Sequence, residues 1–279
     1  MGPMVLWSHD MAKRANTAMN ISTGVKNWKN ANILTLDVPP ELERTVRTGV
    51  EFVDKALGSD ESQGSTPSSS ILLTGTPGAG KTTLTLQIAD ALTGRGHIAI
   101  VATGEESLYQ VRKTTKRLKC KNGFVASQDS HIPTIIKLAK KLQVENKGRK
   151  TPDGEPVQVV VIVDSLGSAN DGFYRDGTVN SCSQVRVIEQ LTSWAKDTFG
   201  IAICIGHVTK GNIFAGKNTI KHAVDVHAHL FIDDEKKSET FGERIFEIQK
   251  NRFGVAGTRY IVGLEASGMY LKGEYTWTA

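Results

Sequence analysis

The stretch SILLTGTPGAGKT, residues 70–82, decides the fold. Its last eight residues are Gly75, Thr76, Pro77, Gly78, Ala79, Gly80, Lys81 and Thr82, and they match the phosphate-binding pattern G-x-x-x-x-G-K-[ST] at every fixed position. The apolar run before them reads as a buried strand, and residues 83–92 read as a helix with an apolar stripe. Glycine at 75, 78 and 80 lets the backbone wrap so that successive N–H groups face phosphate oxygens. The helix N-terminus adds partial positive charge at the same spot. Lys81 is spaced to reach the β- and γ-phosphates and Thr82 to ligate Mg²⁺, with Thr83 counted among the nucleotide contacts. A plain glycine-rich turn is the bland alternative. A chance match in a chain this long is roughly 1%, and the strand–loop–helix context is the one the motif needs, so ATP with Mg²⁺ is expected here.

Composition sets outer bounds. A chain of 279 residues buries a sizeable core without staples. With 39% hydrophobic and 23% charged residues it is ordinary for a soluble globular protein, and no run approaches the 18 apolar residues of a membrane span. The start lacks a signal-peptide pattern. Cys120, Cys182 and Cys204 form no Cys-x-x-Cys pair, which argues against a zinc site and a disulfide framework, so a cytoplasmic setting is expected. The net charge of +5 permits nucleic-acid binding without demonstrating it.

Along the chain, residues 1–40 read as an N-terminal extension or arm and 41–279 as the core. Val46, Val50, Val53 and Leu57 follow helical spacing within 41–57, interrupted by Gly49. Strands are expected at 97–103, 124–126, 157–163 and 201–206, with helices at 108–118, 132–144 and 185–196 between them. The helix at 108–118 carries Arg112, Lys113, Lys116 and Arg117, a solvated basic face or part of a nucleic-acid path. Further strand-like segments lie at 226–232, 244–249, 260–262 and 269–271. The fold class is therefore α/β, a mostly parallel central sheet with helices on both faces.

Four groups sit where such sheets carry chemistry, at or just beyond strand ends. Asp164 ends an apolar strand and is spaced to hold the nucleotide's Mg²⁺ with Thr82. Glu105 and Glu106 end another; a carboxylate there orients and deprotonates the attacking water, with Glu105 preferred, while a helix-start pair is the structural alternative. His207 ends a third and is a γ-phosphate sensor or a satisfied structural histidine. Lys250 and Arg252 are two apart on an extended segment, with no acidic partner inside the motif. They read either as a solvated edge or as cations that stabilise transferring charge.

The chain resembles the ATPase core of the bacterial RadA recombination proteins, within the RecA-like group. The resemblance rests on TGVEFVDKALG (48–58), the phosphate loop, TGEESLYQVRKTTKRL (103–118), VIVDS (161–165), SQVR (183–186), GHVTK (206–210), KHAVD (221–225) and KNRFG (250–254), and it covers about 46–271. It implies a RecA-like fold and a homo-oligomeric ring, a hexamer, or a filament with ATP at subunit interfaces. It also implies that Lys250 and Arg252 serve the neighbour's nucleotide. The loops after Asp164 and His207 would line a path for single-stranded DNA, through Lys210, Phe214, Lys217 and Lys221 in the second loop and Arg175 beside Phe173 and Tyr174 in the first. The family's four-cysteine zinc module and protease-like C-terminal domain have no counterpart in these 279 residues, and the loop 167–180 is not family-like. The expected function is an ATP-dependent single-stranded-DNA-binding recombination ATPase, with replication or recombination proteins as partners. The alternatives are a KaiC-type regulatory ATPase and a ring-helicase motor core.

Overall fold

The computed structural model describes residues 37–59, 62–207 and 218–275. They fall into two units, 37–43 and 44–275. The first contains a single 3₁₀ turn, Pro40–Leu42, whose proline opens it with φ already set.

Among the described residues nine strands form one sheet in the order β3-β2-β4-β5-β1-β6-β7-β8-β9. They are β1 Ser69–Gly75, β2 Ile98–Thr103, β3 Val125–Ser127, β4 Val159–Asp164, β5 Ile201–Ile205, β6 Val226–Ile232, β7 Arg244–Asn251, β8 Arg259–Glu265 and β9 Gly268–Tyr275. The strands from β3 to β6 pair in parallel, and β6 to β9 form an antiparallel meander. The sheet is therefore mostly parallel, as its apolar runs imply: β1, β4 and β5 are buried at every position, because helices cover both faces.

Alternation along each strand divides the core into two layers. Ile71 and Leu73 of β1 pack with Leu84 and Ile88 of α2 (Lys81–Gly94), on the side that also holds Phe52 and Val53 of α1 (Glu51–Leu57) and Val111 of α3 (Leu108–Arg117). Leu72, between them in sequence, points the other way, toward Ile135 of α4 (Ile132–Glu145), Trp194 of α5 (Ser181–Thr198) and Ile220 of α6 (Asn218–Ala223). Burial of such side chains contributes about 1.5–3 kcal/mol each.

One expected element is shorter than its periodicity suggests. The pattern over 41–57 yields a helix only from Glu51. Gly49 takes φ +86°, and the buried Asp54 carboxylate folds back onto the Thr48 and Gly49 N–H groups (2.6 and 2.9 Å) and the Thr48 hydroxyl (2.7 Å). Val46 instead bridges to Ser65 as extended chain. A left-handed glycine outweighs three well-spaced valines.

Candidate active site

The carboxyl ends of β2, β4, β5 and β1 are contiguous in the sheet, so the residues that follow each strand share one rim. The loop after β1 turns through Gly78 (φ +78°) and Gly80 (φ +99°) into α2. Gly75 is required for a different reason: a Cβ there would lie 1.9 Å from the Leu230 carbonyl oxygen of β6. Lys81 Nζ lies inside the loop and donates to the carbonyls of Gly75 (2.8 Å) and Thr76 (3.1 Å). Burial lowers the pKa of this ammonium, against the pull of Asp164 and Glu105. A group in that state gains by meeting a polyanion.

The Thr82 hydroxyl donates to Asp164 Oδ2 at 2.7 Å. Burial raises the Asp164 pKa; that bond opposes the shift, and the charges of Glu105 and Glu106 add to it. A desolvated carboxylate beside a hydroxyl fits a hard divalent cation, which needs one or two protein oxygens when phosphates supply others. Thr82 and Asp164 are the pair suited to Mg²⁺.

Glu105 and His207 come together across the rim. His207 Nε2 lies 3.0 Å from Glu105 Oε1 and 3.1 Å from Ser165 Oγ, and the Ser165 hydroxyl also donates to Glu105 Oε1. Burial raises the Glu105 pKa, but the bonds from Ser165 and then His207 outweigh it, leaving the carboxylate below its usual range. Glu106 behaves otherwise: Thr103 Oγ1 holds its backbone N–H and carbonyl, and its Oε2 has no hydrogen-bond partner. The Ser107–Gln110 capping box starts α3 directly after the pair. Sequence reasoning gave Ser165 no role. Its signal was its place immediately after the strand-ending Asp164, where a short hydroxyl still faces the rim.

Part of this set, Lys81, Thr82, Asp164 and His207, lines a cleft of about 470 Å³ with Pro77, Gly78 and Gly80 of the loop and with Thr83, Arg117, Ile205 and Leu264. From sequence, Arg117 was read as part of a basic helix face, solvated or on a nucleic-acid path, and Leu264 was not singled out.

Lys250 and Arg252 are not at this rim. β7 runs antiparallel to β6, so Lys250 pairs with His227 and Asn251 with Val226, near the start of β1. Arg252 lies level with Ser70, five residues and roughly 17 Å along the sheet from Gly75. The motif itself holds no acidic residue, as read, and its acidic partner comes from outside it. Arg252 Nη1 is 3.0 Å from the buried Asp225 Oδ1, and Lys250 Nζ donates to the carbonyls of Lys221 (3.2 Å), His222 (3.1 Å) and Val224 (2.6 Å) around the end of α6. Cations satisfy terminal helix carbonyls well.

Of the five expected DNA contacts, Lys210, Phe214 and Lys217 lie outside the described residues. Lys221 stands on α6, half-buried. Arg175 is exposed in the loop between β4 and α5. Beside it Phe173 is 65% exposed and meets Tyr174 edge to face at 5.0 Å. Arg186 of α5 lies 4.4 Å over the Phe173 ring and is held by the Asp171 carboxylate. Sequence reasoning noted SQVR only as a matching stretch and missed that Arg186 braces the aromatic pair.

A family model described as AAA domain matches residues 63–212. The chain is 33% identical over 218 residues to "DNA repair protein RadA" of Mycobacterium tuberculosis, covering 76% of this chain and 40% of that protein. It is 32% identical over 255 residues to the protein of the same name from Haemophilus influenzae, covering 88% and 49%. The Brucella abortus RadA is 32% identical over 74% of this chain and 41% of its own length. The chain thus spans less than half the length of these curated relatives. Among solved structures, a KaiC-like protein from Pyrococcus horikoshii OT3 superposes with a TM-score of 0.61 at 16% identity, over 82% of this chain and 99% of that one, a likeness of fold.

Proposed function

The chain belongs to the AAA domain family, and on that premise we propose that it is a RadA-like recombination ATPase that hydrolyses ATP on single-stranded DNA as a head-to-tail homo-oligomer. The observation that carries this reading is the convergence on one rim of Lys81, the Thr82–Asp164 pair and the Glu105–Ser165–His207 cluster.

The triphosphate enters along the loop, where backbone N–H groups and the helix N-terminus receive it. Lys81 gives up two carbonyl partners for phosphate oxygens, whose negative charge offsets the desolvation that lowers its pKa. Thr82 and Asp164 would hold a Mg²⁺ ion, which when bound would supply charge neutralisation to the phosphates. Glu105 accepts a proton from the attacking water. Ser165 and His207 hold its carboxylate oriented and ionised, and His207 is placed to exchange that contact for the γ-phosphate.

Two further features support the DNA and oligomer parts. The braced Phe173–Tyr174 pair with Arg175 offers rings for base stacking and a cation for phosphate. The distance of Lys250 and Arg252 from their own phosphate loop favours service to a neighbour's nucleotide, with release from the α6 carbonyls and Asp225 on assembly. Residues 1–40 are an N-terminal extension or arm in the same reading.

The test is the ATPase rate with and without single-stranded DNA, alongside particle shape by electron microscopy. A ring or filament whose turnover DNA stimulates supports the proposal. Turnover indifferent to DNA favours a KaiC-type regulatory role, and polar strand displacement on a fork favours a helicase motor.

A further inference from the structure

One face of α3 takes no part in the nucleotide cleft. Leu108, Val111, Arg112 and Thr115 follow the i, i+3, i+4, i+7 spacing of a single helix face. With the segment 120–126 they line a separate pocket of about 450 Å³, which shares no residue with the cleft. The far wall of this pocket is fixed from α2. The Asp90 carboxylate accepts the N–H groups of Lys121 (3.2 Å), Asn122 (2.8 Å) and Gly123 (2.9 Å), and the Asp90 carbonyl accepts the Asn122 side-chain amide (3.1 Å). A pocket held open in this way costs little to fill, because its walls need no ordering. Part of the lining is apolar: Val111 is buried, Phe124 and Ala126 are half-buried, and Leu108 is 39% exposed. Cys120 adds a thiol whose pKa is raised by burial first and by the Asp90 charge second, so it stays neutral and behaves as a small apolar group.

The chain around this pocket carries charge of one sign. Residues 107–128 hold Arg112, Lys113, Lys116, Arg117, Lys119 and Lys121 and no Asp or Glu. All six are exposed, and among the described residues none makes an ion pair. Arg112 on α3 and Lys121 on the facing segment line the pocket itself. Like charges so placed repel, and an anion set between them offsets the repulsion. The apolar lining calls for a side chain that leaves water. We propose that this pocket docks an acidic peptide of a partner protein, which seats an aliphatic or aromatic side chain between α3 and segment 120–126 and lays its carboxylates on Arg112 and Lys121. A nucleic acid would meet the cations with its phosphates and leave the apolar lining wet. A membrane surface takes apolar groups that protrude, and Val111, Phe124 and Ala126 are recessed. A desolvated anchor inside a charged rim satisfies both halves of the lining at once. The inference is independent of the nucleotide reading, since the two sites share no residue.

The experiment is fluorescence-anisotropy titration of the full chain into three labelled synthetic peptides: EDDEDLF, EDDEDAA without the apolar anchor, and QNNQNLF without the charges. EDDEDLF should bind more tightly than either control by about 10-fold or more, and added salt should weaken it. Arg112→Glu/Lys121→Glu should lose about 10-fold or more for EDDEDLF, with melting curves showing that the variant is folded. Alkylation of the wild type locates the peptide without any substitution: saturating EDDEDLF should slow modification of Cys120 by about 5-fold or more and leave the exposed Cys182 unchanged. No binding of EDDEDLF up to about 1 mM overturns the proposal, as does equal affinity for EDDEDLF and EDDEDAA, which is charge attraction alone. Cys120 left unprotected by bound peptide overturns it by placing the peptide elsewhere. A double variant that binds EDDEDLF as the wild type does, but loses affinity for single-stranded DNA or changes the mass of the assembly, overturns it too and gives the patch to nucleic acid or to a second copy of this chain.

Discussion

The Arg252 guanidinium lies 3.0 Å from the Asp225 carboxylate, which also accepts the Ser70 N–H (3.0 Å) and hydroxyl (2.9 Å) through its other oxygen. One end of β1 is thereby tied to the cationic motif, while the other end carries the phosphate loop. The two features sit at opposite ends of β1, and in the proposed oligomer a second copy would bring them together. A Lys250→Ala/Arg252→Ala protein keeps its loop, and Lys81→Ala keeps its cations. Each alone should hydrolyse slowly, with a loss of about 10³ or more for the missing finger. Mixed, they should regain activity in a manner that depends on protein concentration. Because both cations also make contacts within the chain, melting curves are needed beside the rates. A folded mixture of proven hetero-oligomers with no gain sinks the trans assignment.

Lys81→Ala should abolish nucleotide binding, since the loop loses its embedded point charge. Direct titration of ATP into the folded variant is the check, and unchanged affinity would refute the assignment.

Glu105→Gln should bind ATP normally and turn over roughly 10² more slowly or worse. Glu106→Gln should do little, because Glu106 makes neither the Ser165 nor the His207 contact. Ser165→Ala removes a bond that holds the Glu105 pKa down, so the acid limb of its rate profile should move to higher pH. A profile unmoved by Ser165→Ala means that Ser165 does not tune the base.

Phe173→Ala and Arg175→Ala should weaken single-stranded DNA binding differently. Loss of a stacking ring costs about 1–3 kcal/mol and leaves the salt dependence alone. Loss of a phosphate contact makes the log–log salt slope shallower by about 0.7. Binding titrations at several salt concentrations separate the two. Identical behaviour of both variants and the wild type would move the DNA path away from this loop.

Acid should destabilise the fold before carboxylates titrate. The Thr74 hydroxyl lies 2.8 Å from both His227 Nε2 and His229 Nδ1. Its single hydrogen serves one ring, so the other ring must bring its own. Burial, with the Lys221 charge adding to it, lowers His227 to about 3; burial lowers His229 to about 4, against Glu247. In the unfolded chain both titrate near 6.5, so between about pH 6.5 and 4 the unfolded state binds protons that the native state does not. Stability is full above 6.5 and falls as pH drops, by up to about 1.4 kcal/mol per pH unit per histidine. Denaturant melts across pH 4–7 measure it. His227→Gln/His229→Gln should flatten the slope, whatever it does to stability at pH 7; an unchanged slope would place the titrating groups elsewhere.

Local spacing alone was enough for the phosphate loop, the buried strands and the strand-ending Asp164, Glu105 and His207. Continuous apolar runs and a glycine pattern depend on neighbours a few residues away. Which of two adjacent glutamates meets His207 shows only in its contact with Ser165, 60 residues from Glu105. The partner of Arg252 stands 27 residues back in the chain, in the segment that enters β6, and the antiparallel register of β7 brings them level. Arg117 and Leu264 share a cleft only because α3 and the β8–β9 hairpin dock on neighbouring rows of α2. Side-chain direction at a strand end, and the pairing of distant cations and carboxylates, follow from register and packing between elements, and no periodicity within one segment encodes them.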